Sequence, residues 1–173
     1  MTRRSFRGFV SGLLAGRVLS PLAAWAGGAR LKNWAGNLEY SSDQLHAARS
    51  LDEVGSFVRE RARLKVLGTR HCFNAIADSR HGFLSLGEIV DGIVLDAVAR
   101  TVTVPAGLRY GTLCPYLQDR GFALHNLASL PHIAVAGACS TGTHGSGERN
   151  GNLSTAVVAL ELVTAAGERV QLS

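Results

Sequence analysis

Val66-Leu67-Gly68-Thr69-Arg70-His71-Cys72-Phe73-Asn74 is the stretch that decides the reading of this chain. Two apolar residues ending a short strand run into a glycine, and the turn that follows delivers one histidine. Successive backbone N–H groups in such a turn form a nest for anions, and a glycine lets the main chain approach a pyrophosphate closely. A neutral imidazole titrates near physiological pH, so one held there serves as proton shuttle or as nucleophile. Val66, Leu67, Gly68, Thr69, Arg70, His71 and Cys72 therefore form one candidate binding loop, with His71 its reactive group. The Arg70 guanidinium suits a pyrophosphate, although its side chain also takes up room in the turn.

A second run carries related chemistry: Ala128-Ser129-Leu130-Pro131-His132-Ile133-Ala134-Val135-Ala136-Gly137, followed by Thr141-Gly142-Thr143-His144-Gly145-Ser146-Gly147. Small hydroxyl residues alternating with glycines suit hydrogen bonds to phosphate or to the edge of an aromatic ring system, at little steric cost. Two such loops fit a phosphate-bearing cofactor with an aromatic head. The Gly-x-Gly-x-x-Gly pattern that opens a helix in dinucleotide-binding folds is absent, so a Rossmann fold is not expected. His46, His81 and His125 read as structural residues, while His132 and His144 stand between ligand contact and simple backbone hydrogen bonding. The spacing of His125, His132 and His144 matches no zinc ligand set and cysteine pairs are missing, so no metal is expected.

On these residues the chain resembles the flavin-binding, PCMH-type domain of the vanillyl-alcohol-oxidase flavoproteins. Within them it is most similar to bacterial alditol (xylitol) oxidases and sugar-1,4-lactone (arabinonolactone, gulonolactone) oxidases. The family pattern around the histidine is close to Gly-x-Gly-His-Ser; this chain departs from it at Arg70 and Cys72. The second match is almost unbroken from Leu124 to Gly147, with Ala134 where relatives often carry serine. The resemblance covers nearly all of residues 33 to 173 and implies FAD, covalently bound through His71. It implies that Ser129, Gly137, Thr141, Gly142, Thr143 and His144 approach the flavin, and that Ser129 also faces the substrate.

The resemblance further implies an α+β fold of two small α/β subdomains. The activity it implies is oxidation of CH–OH groups in alditols or sugar-1,4-lactones. Hydride would pass from the carbinol carbon to the flavin, and oxygen, as acceptor, would be reduced to hydrogen peroxide. Family members continue well beyond Ser173, so the chain is expected to be the N-terminal part of a flavin domain, incomplete at its C-terminus and poorly active alone. No residue here is identified as the catalytic base. Two alternatives stay open: a stand-alone flavin-binding or electron-transfer module whose substrate domain comes from a second chain, and a degenerate remnant without flavin, suggested by Arg70, Cys72 and the early stop.

At the N-terminus, Thr2-Arg3-Arg4-Ser5-Phe6-Arg7 precedes a mostly apolar run that ends at Ala24-Trp25-Ala26, a small-x-small cleavage signature. Residues 1–26 thus read as a twin-arginine export signal with a periplasmic destination; the alternative is cytoplasmic. A membrane anchor fits less well, because Arg17 and Pro21 interrupt an apolar run that falls short of the roughly 20 residues a spanning helix needs. The formal net charge is +5, and Arg3, Arg4, Arg7 and Arg17 carry +4 of it, which leaves +1 for the remainder. A nucleic-acid partner would need a basic stripe in the folded part, and none is present. Three cysteines, Cys72, Cys114 and Cys139, imply no disulfide framework, and burial is their expected state, with Cys72 as the exception beside His71.

Residues 27–49 are expected to be a linker and first strand region, and residues 50–173 the flavin domain. Ser50-Leu51-Asp52-Glu53 predicts a capping box, with Leu51, Val54, Phe57 and Val58 as the apolar stripe of a helix to about Arg61. Strands are predicted at Leu64–Leu67, Phe83–Leu86, Gly92–Asp96 and Thr101–Val104. A helix from about Tyr110 to Arg120 should end at Gly121, with Pro115 tolerated only in its first turn. Val157–Thr164 predicts a buried strand, and Arg169–Leu172 its hairpin partner.

Overall fold

A computed structural model describes residues 30–173; the export signal expected over residues 1–26 lies outside the described residues. The first unit is a parallel sheet of β1 (Leu45–Ala47), β3 (Phe83–Ser85) and β2 (Lys65–Val66), with β3 in the centre. Leu45 and Lys65 both pair with Phe83, and His46 and Val66 both pair with Leu84. Parallel strands need a crossover connection, and α1 (Leu51–Arg59) carries the chain from β1 to β2 on the far side of β3.

That helix begins where the sequence says it should, because the Ser50 hydroxyl accepts the Glu53 N–H at 3.1 Å. The reciprocal arm differs from a standard capping box. The Glu53 carboxylate accepts from the Arg49 N–H at 2.8 Å, one residue before the cap. This bond is the main reason that the Glu53 carboxyl titrates below its usual range, with burial opposing it and His46 assisting.

Successive strand residues face opposite sides, and β3 shows this directly. Phe83 packs with Leu31, Tyr40 and Leu67 on one side, whereas Leu84 packs with Ala48 and Val54 on the other. The sheet is thus covered by α1 on one face and by residues 31–40 on the face that leads into the His71 loop.

The second unit surrounds α2 (Tyr110–Gln118). Leu108, Tyr110, Leu113, Leu117, Ile133, Ala138 and Leu153 form its core, against which pack Leu95 of β4 (Val94–Asp96) and Val102 of β5 (Thr101–Thr103), an antiparallel hairpin. Each unit has its own core, as expected for two small α/β subdomains. The helix ends as predicted: Gly121 adopts φ +77°, and Phe122 N–H reaches back to the Leu117 carbonyl at 2.9 Å.

Pro115 corrects one expectation. It is the sixth residue of α2 and so lies in the second turn, not the first. A mid-helix proline costs about 3 kcal/mol or more. Burial of Tyr110, Leu113 and Leu117 at about 1.5–3 kcal/mol each outweighs that cost. The residue four back is Gly111, where a Cβ would lie 3.0 Å from the Pro131 carbonyl oxygen, so this turn of the helix also packs closely on residue 131.

The last hairpin corrects another. β6 (Leu160–Val163) and β7 (Arg169–Leu172) pair antiparallel as expected, and their turn closes on α1 so tightly that a Cβ on Gly55 would lie 2.8 Å from the Gly167 carbonyl oxygen. Yet β6 is not buried: Leu160 and Leu162 are 49% and 46% exposed. One short helix cannot cover a two-stranded ribbon, and of β6 only Val163 joins the core with Val54 and Leu84. Two of the cysteines also differ from the burial expected of them, whereas Cys72 is partly exposed as expected. Cys114 and Cys139 are half-buried like Cys72, and all three are free thiols.

Candidate functional site

The candidate loop leaves the sheet at Leu67, which is buried and donates its N–H to the Leu84 carbonyl at 2.8 Å. From Gly68 to Phe73 no backbone N–H donates to a described residue. Six consecutive donors are thus free for solvent or a ligand, which is what an anion nest requires. Arg70 sits at φ +62°, in the left-handed region where a non-glycine residue needs support from its surroundings. Bonds on both sides supply it: Trp34 N–H donates to the Arg70 carbonyl at 2.8 Å, and the Asn33 carboxamide donates to the Cys72 carbonyl at 3.0 Å.

A second segment is held against this loop by the start of α2. The first N–H groups of a helix lack intrahelical partners. Those of Tyr110 and Gly111 donate to the carbonyls of Ile133 and Pro131, at 3.1 and 2.7 Å. Val135 N–H returns the contact to the Leu108 carbonyl at 2.8 Å. Residues 131–135 are thereby fixed, and Ala134 N–H reaches the Thr69 hydroxyl at 3.3 Å.

His132 then meets His71, with its Nε2 3.3 Å from His71 Nδ1. Around them stands an aromatic group. Trp34 stacks on His132 at 5.0 Å and 17° and tilts against His71 at 4.7 Å, while Phe73 meets the His71 ring edge-on at 5.2 Å. Burial, and after it the charge on His132, hold His71 below the usual histidine range. Near neutral pH His71 is accordingly an uncharged imidazole with a free lone pair, the form a nucleophile requires.

The glycine-rich residues of the second run extend from the other end of α3 (Val135–Ser140). Ser129, Gly137, Thr141, Gly142 and His144 are exposed, and Thr143 is half-buried. The hydroxyls of Ser140 and Thr141 donate to the carbonyls of Ala136 and Gly137, at 2.7 and 3.0 Å, so they close the last turn of α3, and the Thr143 hydroxyl lies 3.2 Å from that of Thr141. His144 Nδ1 lies 2.9 Å from the Gly145 carbonyl oxygen, so Nδ1 donates to it. A Cβ on Gly145 would collide with the Asn126 side chain and the Leu127 carbonyl, so that glycine packs the loop down. Beside Gly137 and Gly142, by contrast, a Cβ would meet nothing within 4 Å, and these backbones are open to a ligand.

Of the predicted residues, Gly68 to Cys72 come together with the segment ending at Ala134. Among the described residues no hydrogen bond or ring contact joins the Thr141–His144 loop to His71: the His71 loop meets the segment that leads into α3, and the glycine-rich loop follows its C-terminal end. A cleft of about 480 Å³ lies elsewhere, lined by Arg61, Arg63, Lys65 and His81. Among the described residues no three His, Cys, Asp or Glu side chains gather as a metal site. Two residues escaped the sequence reading. Asn33, only 4% exposed, and Trp34 belong to a segment expected as linker and first strand region, and an asparagine and tryptophan beside a turn glycine are too common to mark a site. His46, in contrast, proves structural, stacked on Phe57 at 4.1 Å and 2.8 Å from Glu53.

Comparison with known proteins bears on this arrangement. A family model described as FAD binding domain matches residues 42–173. An alditol oxidase from Streptomyces sp. is 42% identical over 144 residues, covering 82% of this chain and 35% of the relative. A D-arabinono-1,4-lactone oxidase from Eremothecium gossypii is 38% identical over 154 residues, covering 82% and 28% respectively. An L-gulonolactone oxidase from Bos taurus is 31% identical over 150 residues, covering 84% and 34%. The chain therefore spans about a third of the length of these relatives. In fold it is similar to a solved cholesterol oxidase from Brevibacterium sterolicum, with a TM-score of 0.69 at 17% identity, over 82% of this chain and 31% of that one.

Proposed function

Since this chain belongs to the FAD binding domain family, we propose that it holds the flavin of an oxidase acting on CH–OH groups of alditols or sugar-1,4-lactones, with oxygen as electron acceptor. The cofactor is FAD. The observation that carries the reading is the meeting of a donor-rich turn with the His71–His132 pair, in a chain 42% identical to an alditol oxidase.

The residues present fit the cofactor. The free N–H groups from Gly68 to Phe73 and the Arg70 guanidinium suit its pyrophosphate, and the open backbones of Gly137 and Gly142 leave room beside Thr141, Thr143 and His144. Bound FAD supplies the two-electron redox chemistry, for which side chains have no equivalent. The protein's share is to bind, orient and exclude water. In this reading His71 is the point of covalent attachment, its neutral state maintained by burial and by His132. Ser129, exposed on the same segment as His132, is the residue that faces the substrate hydroxyl.

Export through a twin-arginine signal at residues 1–26, after cofactor loading in the cytoplasm, completes the proposal. With relatives about three times as long, the 173 residues alone should turn over a polyol or lactone poorly. The exposed apolar face of β6 favours a companion reading, in which a further segment, on this or a second chain, covers it and supplies the substrate domain. The test is direct. Flavin-free protein is mixed with FAD, and bound flavin is followed by absorbance in wild type and in a Gly142→Val variant. Binding that Gly142→Val weakens supports the reading; no binding to folded wild type contradicts it.

A further inference from the structure

Residues 32–34 grip the His71 loop on both sides of the histidine. Besides the two bonds that bracket it, the Arg70 guanidinium donates to the Lys32 carbonyl at 3.1 Å. The buried Asn33 is itself fixed, donating to Asn37 Oδ1 at 2.8 Å and accepting the Leu38 N–H at 3.1 Å. On this clamp stands the Trp34 ring, in contact with both imidazoles, whose own centroids are 5.1 Å apart. Three mutually touching rings leave His71 little freedom to turn. An interaction of this kind acts through orientation, since flat rings in offset or edge contact prefer few geometries.

We propose that Trp34 is a positioning residue: packed against His132 and His71 together, it fixes the ring plane of His71 for bond formation with FAD and maintains the imidazole–imidazole contact. The inference rests on covalent attachment at His71. In that step a ring nitrogen of His71 forms a bond to the flavin's 8-methyl carbon. One C–H bond of that methyl breaks, its proton leaves, and its electron pair passes into the flavin ring; His71 sheds its ring proton. Dioxygen then takes up the electron pair with two protons as hydrogen peroxide, which restores the oxidised flavin. Trp34 takes no part in these bonds. It sets where the imidazole lone pair points, and small misplacements of reacting groups carry large rate penalties.

The backbone N–H of residue 34 makes the bond to Arg70, so Trp34→Ala removes the ring and keeps the clamp. Flavin-free protein is compared as wild type, Trp34→Ala and Trp34→Phe, with Trp34→Leu replacing the alanine variant if that does not fold. Two readouts are taken: the rate at which acid-stable flavin accumulates after FAD is added, and the nuclear Overhauser contact between the His71 and His132 rings, followed by NMR without flavin. The two rings should show that contact in wild type, where their centroids are 5.1 Å apart. Trp34→Ala should abolish the contact and slow attachment by about tenfold or more, with Trp34→Phe recovering most of both. A ring contact that survives in Trp34→Ala overturns the proposal whatever the flavin does, and so does an unchanged attachment rate. If wild type acquires no acid-stable flavin, covalent attachment fails as a reading, and the NMR comparison decides the role of Trp34 by itself.

Discussion

The His71 loop, which leaves the three-stranded sheet, and the β6–β7 hairpin, a two-stranded sheet of its own, are both short segments, and the chain treats them in opposite ways. The loop is polar, holds a residue at φ +62°, and is tied down by buried Asn33, by Trp34 and by the segment against α2. The hairpin is apolar and regular, yet leaves Leu160, Leu162 and Leu172 between 46% and 49% exposed. The hairpin's regular backbone is held at its turn, against α1, and at Val163, while the rest of its apolar face stays open. An irregular loop survives only where its surroundings over-determine it, and such investment concentrates at functional sites.

The contrast is broken most severely in the core beneath the loop. Phe83→Ala, at a site 1% exposed, should destabilise the protein by about 3–5 kcal/mol, measured by urea unfolding. Leu160→Ser on the hairpin should change stability by less than about 0.5 kcal/mol while reducing self-association in sedimentation. A large loss from Leu160→Ser would show that the hairpin is structurally committed after all.

Next in size is the clamp. Asn33→Ala leaves the Leu38 N–H and the Cys72 carbonyl without their partner and should cost about 1–3 kcal/mol, with the His71 loop exchanging its environment in NMR spectra before global unfolding. A uniform loss with no local effect at His71 would detach Asn33 from the site.

The smallest effect is on pH dependence. His71 binds its proton less readily in the folded state than its ordinary value of 6.5 implies, so the unfolded chain holds more protons as the pH falls. Its contribution is intact above about pH 6.5 and is lost as the pH drops through the folded value. Asp78, held low chiefly by the Ser41 hydroxyl and N–H, acts in the same direction at lower pH. His71→Ala should therefore flatten the fall in stability just below pH 6.5 while leaving the steeper acid limb, read from thermal melts across pH. An unchanged profile would mean that the His71 imidazole is not held away from solvent in the folded protein.

The legible parts of the molecule were those written locally. Ser50 with Glu53, Gly121 after α2, and the alternation of Phe83 and Leu84 each carry their structural consequence within a few residues. The candidate loop was legible for the same reason, through Gly68 and His71. What the sequence hid depends on contacts across the fold. Trp34 and Asn33 act at the site 37 to 39 residues before the groups they hold, and no local pattern marks them. Pro115 reads as a helix breaker because propensity ignores the burial of its neighbours. Val157–Thr164 reads as buried because apolar residues announce a need for cover, without naming what provides it.

The central claim is that this chain is a flavin-holding domain with His71 as the attachment point. The most direct measurement is to incubate the protein with FAD, unfold it in acid, and look for flavin absorbance that stays with the polypeptide, beside His71→Ala. Flavin retained by wild type and lost from the variant is the result predicted. Folded wild type that binds no flavin, or flavin retained equally by His71→Ala, would contradict it.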